Sequence, residues 1–135
     1  MFLVLDPNSG AVPFRLGMDR SQVRSMLATY RLLTLPSEPE NDKYPSDGLI
    51  LGYDLHDKLE YIEVTKPSAA SYKEIYFVGE NVRDVVQHLT DLGFSPSHDV
   101  GSYVFPSINL SIYAPADTVL SVSLFREGYY ENATK

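Results

Sequence analysis

Leu16-Gly17-Met18-Asp19-Arg20-Ser21-Gln22-Val23 is echoed 62 positions later by Val78-Gly79-Glu80-Asn81-Val82-Arg83-Asp84-Val85. Glycine falls on glycine at 17 and 79, and a cap-type residue on a cap-type residue at 19 and 81. Leu27 then falls on Leu89. A second block agrees at an offset of 61: Tyr44-Pro45-Ser46 with Phe105-Pro106-Ser107, and Leu49 and Leu51 with Leu110 and Ile112. At the same offset Leu59 and Tyr61 fall on Leu120 and Val122. Repetition over this span implies one supersecondary unit used twice. The first copy spans about 11–66 and the second about 73–128, within one domain over residues 1–135.

Each copy reads as a helix followed by a hairpin. Asp19 is an N-cap residue with Gln22 in capping-box position. Val23, Met26, Leu27 and Tyr30 follow at i, i+3, i+4 and i+7, one stripe of a helix. In the second copy Asn81 caps, Val82, Val85, Val86, Leu89 and Leu92 form the stripe, and Gly93 ends it. Leu49, Leu51 and Tyr53 alternate as a strand does, as do Leu59 and Tyr61, with 55–58 as the turn. In the second copy Pro115-Ala116-Asp117 supplies that turn. Short strands are expected at Phe2–Leu5, Val12–Leu16 and Ile75–Val78. The expected fold is α+β: two tandem (β)-α-β-β units forming a mainly antiparallel sheet, both helices on one face and the other face partly open. On this reading Tyr61 packs in the core at the place of Val122, and Tyr30 at the place of Leu92.

The net charge of −7 is unevenly spread. Glu38, Glu40, Asp42, Asp47, Asp54, Asp57, Glu60 and Glu63 are opposed within their stretch only by Lys43 and Lys58, leaving −6 there and −1 elsewhere. Nucleic acid and anionic membrane require a basic footprint, so neither is an expected partner. A basic protein is. No apolar run approaches the roughly 20 residues of a membrane span. The opening Met1–Leu5 run stops at Asp6 without a basic start, unlike a signal peptide. The expected location is therefore cytoplasmic. No cysteine is present, which excludes disulfides, thiolate metal sites and thiol nucleophiles.

The remaining chemistry-bearing residues form no constellation. His56 lies in a turn, His88 on the edge of a helical stripe and His98 in a loop, none with the spaced partners a metal site needs. There is no G-x-S-x-G elbow and no Gly-rich phosphate loop. Glu60 and Glu63, three apart on one strand, are expected on opposite faces. The chain is expected to be no enzyme and to hold neither metal nor cofactor. Ten tyrosines make it rich in a residue favoured at protein interfaces.

Leu16-Gly17-Met18-Asp19-x-x-x-Val23-x-x-x-Leu27 resembles the helix start of a bacterial group of helix-plus-hairpin proteins. That group includes the small lipoprotein subunit of the outer-membrane barrel-assembly machinery and the β-lactamase inhibitor protein. The resemblance covers about a dozen residues of the first copy, with Glu80 replacing Met18 in the second. The lipobox cysteine and the inhibitor's disulfide have no counterpart here. The chain is also similar in size, acidity and helix-hairpin order to bacterial immunity proteins. Both resemblances imply function by binding another protein.

The sequence thus predicts a non-catalytic bacterial protein-binding domain of immunity or inhibitor type. Its surface for a basic partner, such as a toxin or nuclease, would comprise Glu38, Glu40, Asp42, Tyr44, Asp47, Asp54, Asp57 and Glu60. The alternative is a small-molecule-binding or sensory module with a pocket lined by Phe14, Tyr76, Phe77, Phe94 and Phe105. A monomer or a homodimer fits either reading.

Overall fold

Leu49, Leu51 and Tyr53 lie on one side of an extended chain, because side chains alternate along a strand. All three are buried, and the row they form organises the molecule. The computed structural model describes residues 1–129. Its strands are β1 (Phe2–Asp6), β2 (Gly10–Val12), β3 (Phe14–Arg15), β4 (Leu33–Leu35), β5 (Glu38–Tyr44), β6 (Leu49–Tyr53) and β7 (Leu59–Thr65). They continue with β8 (Ala69–Tyr72), β9 (Ile75–Tyr76), β10 (Ser97–Asp99), β11 (Ser102–Phe105), β12 (Leu110–Tyr113) and β13 (Ser121–Phe125). Helix α1 is Arg20–Met26 and helix α2 is Val82–Asp91. The α+β class and the mostly antiparallel pairing are as expected.

The strands form two sheets where one was expected. Eight lie in the order β10-β11-β12-β13-β7-β6-β5-β4, antiparallel throughout. The other five run β3-β2-β1-β8-β9, with β1 and β8 parallel. Strands were expected at the places of β1, β3 and β9, but the four-residue β8 and its distant pairing with β1 leave no periodicity to read, so the second sheet was not legible. The register puts Tyr44, Leu49, Leu51, Ile62, Val64, Val122, Leu124, Leu110, Ile112 and Phe105 on the inner face of the larger sheet. They share one apolar core with Leu3, Leu5, Phe14 and Phe77 around the smaller sheet, and with Val23 and Leu27 of the first helical segment and Val85 and Leu89 of α2.

The helix starts differ. Asn81 accepts from the Arg83 and Asp84 backbone N–H groups, as an N-cap should. Asp19 holds the same extended backbone, but its carboxylate makes no cap bond and pairs with Lys58 instead. Helix α1 ends at Met26, so Met26 is exposed and Tyr30 only half-buried, and Leu92 lies exposed just past α2.

The halves use the same backbone contacts from helix start to hairpin. Gly17 N–H donates to Leu59 O at 2.7 Å, and Gly79 N–H donates to Val119 O at 2.8 Å. Leu59 N–H donates to Met18 O, and Val119 N–H to Glu80 O, both at 2.9 Å. These contacts place Leu59 opposite Val119, a correction of one residue to the sequence alignment. Leu120 is consequently half-exposed, while Val119 is buried. The cause is one extra residue in the first turn: Gly52 still matches Tyr113, but Asp57 and Lys58 already match Asp117 and Thr118 in their contacts with the helix starts. Tyr61 thus corresponds to Ser121 and faces outward, not into the core.

Candidate functional site

Strand β5 sends Asp42 toward the inner face, in line with Tyr44 and opposite Leu51. Its carboxylate is fully buried. A lone buried carboxylate is very costly, and two arginines four residues apart on α1 meet it. Arg24 donates from Nε and Nη2 at 2.7 and 2.8 Å, a bidentate fork, and Arg20 donates from Nη2 at 2.7 Å. Arg20 also donates to the Pro39 carbonyl and to Asp57, and its guanidinium lies 4.7 Å from the centre of the Tyr53 ring. Burial alone would raise the Asp42 pKa, but the hydrogen bonds from Arg24 and Arg20 hold it below the usual carboxylate value. The bond to Asp42 likewise holds both arginines above theirs. The Tyr53 hydroxyl is buried with no partner among the described residues, and burial pushes its pKa up. A cleft of about 450 Å³ flanks the cluster, bounded by Arg20, Arg24, Asp57, Thr34, Leu35 and Pro36 among others. Asp42 and Asp57 already occupy its arginines.

The cluster changes the sequence-derived surface. Asp42 and Tyr44 are buried and are not available to a partner. Of the others, Glu38 pairs with Lys43, Asp57 with Arg20, and both Asp54 and Glu60 with Arg126. Asp54 also accepts from the His56 and Lys58 backbone N–H groups. Folding therefore brings Arg20, Arg24 and Arg126 onto a stretch whose own sequence holds two lysines. With Asp19, which takes Lys58, nine acids face the five bases Arg20, Arg24, Lys43, Lys58 and Arg126, a residual of −4. Glu40 and Asp47 make no ion pair among the described residues. Strand pairing sets Glu38, Glu40, Asp54, Asp57 and Glu60 toward one end of the first hairpin, while Asp47 lies at the other. The arginines were the unread part. Arg20 and Arg24 at i, i+4, beside an acid at an inward strand register, would have revealed the cluster.

The outer face of the larger sheet carries a different set. Tyr61 donates to Glu63 Oε1 at 2.6 Å and shares a hydrogen bond of 2.9 Å with Ser123. Tyr129 stacks on Tyr61 at 5.2 Å between ring centres. Ser111 and Tyr113 pair with Ser123 and Ser121 on the same face, and Tyr113 is half-exposed. Ser121, Ser123 and Phe125 on this face are buried, with Tyr129 lying against Phe125 as well as Tyr61.

The chain matches no protein-family model, no curated protein and no solved structure.

The other candidates disperse. His56 and His88 are exposed, and His98, on β10, stacks flat on Tyr103 at 4.2 Å. No group of three or more potential metal ligands occurs among the described residues. Phe14, Phe77 and Phe105, expected to line a pocket, are fully buried core residues, and Tyr76 is exposed. Phe94 packs beside Tyr72. Among the described residues no helix is long and apolar enough to cross a membrane.

Proposed function

We propose that this chain is a non-catalytic protein-binding domain of the immunity or inhibitor kind. The observation that supports it best is the half-exposed Tyr113 on the outer sheet face, next to a first hairpin with residual negative charge. Tyrosine offers large contact area at low entropy cost, and unpaired acids such as Glu40 and Asp47 favour a basic partner. The helix start resembling protein-binding helix-plus-hairpin proteins agrees with this reading. The dispersed histidines and the internally paired arginines favour a binding reading over a catalytic one. The surface differs from the one read in the sequence: Tyr113 replaces Asp42 and Tyr44.

The test uses a candidate basic partner, such as the product of an adjacent gene, in surface plasmon resonance at several salt concentrations. Reversing Glu40 and Asp47 to lysine should slow association about tenfold at low salt, because unpaired rim charge acts on the encounter rate. Tyr113→Ala should speed dissociation. Binding that ignores all three substitutions refutes this surface.

A further inference from the structure

Strands β7 and β13 pair so that Tyr61 faces Phe125, Glu63 faces Ser123 and Thr65 faces Ser121. This register reads the same from either strand when residue numbers are exchanged by 60. Lys66 and Arg126, just past the two strands, are therefore equivalent, and so are Leu120 and Glu60. Arg126 has two acids to face: Asp54, and Glu60 at 3.8 Å. Around Lys66 the same places hold Leu120 and the apolar turn Ala114-Pro115. Asp117 and Glu80, the nearest acids in sequence on these elements, form no ion pair with it, and no carboxylate among the described residues does.

The lysine lies at a recess of about 280 Å³ lined by Thr65, Lys66, Val78, Thr118, Val119 and Leu120. Its stem crosses Gly79, where an added Cβ would sit 3.5 Å from Lys66 Cε. Gly79 has φ +87°, so a side chain there would be strained. Val119 is fully buried and lines the recess, and half-exposed Leu120 forms part of its rim. An apolar recess with one cation and hydroxyls at its edge has the make-up of a small-ligand site, at the low end of the roughly 300–1,000 Å³ range.

We infer that this recess binds a small aliphatic carboxylate, whose anion takes the place at Lys66 that Glu60 and Asp54 hold at Arg126. The apolar body rests on Val78, Val119 and Leu120, and the carboxylate meets the ammonium. The chemistry is shared by a free branched-chain acid and by a peptide C-terminus ending in an aliphatic residue. The inference is independent of the protein-binding reading and uses another part of the surface.

The experiment is a two-dimensional ¹H–¹⁵N NMR titration of the full chain with 4-methylpentanoate, and with 4-methylpentan-1-ol as the uncharged control. The acid should shift the amides of Lys66, Val78, Gly79, Thr118 and Leu120 and saturate at millimolar concentration, as the few atoms of so small a ligand allow. The alcohol should bind about tenfold more weakly, the worth of one charge-assisted contact. Lys66→Met should bring the acid down to the level of the alcohol. Leu120→Glu supplies an internal acid at the place of Glu60 and should abolish acid binding while the remaining amides keep their positions. N-acetylglycylleucine binding more tightly than 4-methylpentanoate supports the site with a peptide C-terminus as its source, and the reverse order supports it with a free acid. Equal affinity for acid and alcohol, unchanged binding in both variants, or shifts centred elsewhere would overturn the inference.

Discussion

Replacing Asp42 with Asn is the most informative perturbation of the interior. The amide has almost the same volume, so packing survives while the charge that joins α1 to β5 disappears. Removing one partner of a buried ion pair costs about 3–5 kcal/mol, because the other is left uncompensated. Here the remaining partners are two arginines that differ in freedom. The Arg20 side chain is 16% exposed and enclosed by Pro39 and Tyr53, so its charge stays where it is. Arg24 is 42% exposed and can turn into water. One stranded cation places the loss near the lower bound, about 3 kcal/mol. For a chain of this size, at about 3 °C per kcal/mol, the melting temperature should fall by about 10 °C. Equilibrium urea unfolding read by circular dichroism measures it. The complementary variant replaces Arg20, Arg24 and Asp42 together by Val, Val and Tyr, the residues at the equivalent places Val82, Val86 and Tyr103. Exchanging a whole buried ionic cluster for apolar groups is commonly neutral or stabilising. A loss below about 0.5 kcal/mol for Asp42→Asn, the size of an ordinary surface change, would refute the claim that this cluster pins helix to sheet.

The cluster also sets an acid limit. Asp42 has a lowered pKa in the folded chain, so its contribution is complete above the unfolded value of about 4 and is lost as pH falls below it. Unfolding free energy from pH 7 to 2 should therefore fall in that acid range by more in the wild type than in Asp42→Asn, and equal losses would contradict the assignment. Tyr53→Phe removes a buried hydroxyl with no partner among the described residues and should raise stability by about 1 kcal/mol in urea titration. A destabilised variant would mean that the hydroxyl is paired in solution. Asn81→Ala should cost about 1 kcal/mol, and Asp19→Ala less than about 0.5, because only Asn81 caps its helix. Equal losses in thermal melts would show that the sequence reading of Asp19 as a cap was right after all.

The fold was legible where the chain uses strong local devices. Gly17 and Gly79, the cap positions, and the prolines at 45 and 106 marked two runs of helix then hairpin, and both runs have that element order. What failed was whatever depended on pairing partners. One extra residue in the turn after Gly52 is invisible in an apolar pattern, so Tyr61 was assigned to the wrong face and Leu120 to a buried place. The second sheet escaped because β1 pairs with a strand about 67 residues away, a contact that leaves no local trace. Asp42 misled for a simpler reason. An acid within an acidic run reads as solvated, and only the inward register of β5 together with two helical arginines shows that it is enclosed. The recess at Lys66 needed both halves to be compared in register, which the shifted alignment prevented.

The seam between β7 and β13 has a consequence for how the chain is made. Residues 61–65 lie at the middle of the larger sheet, yet their partners are 121–125. While the intervening segment is being synthesised, β7 is an unfinished edge with Ile62 and Val64 on one side. Open apolar edges recruit strands from other molecules. The interval between making the two strands is thus the period when this protein is most exposed to self-association, and a fragment ending before residue 121 would remain in that condition permanently.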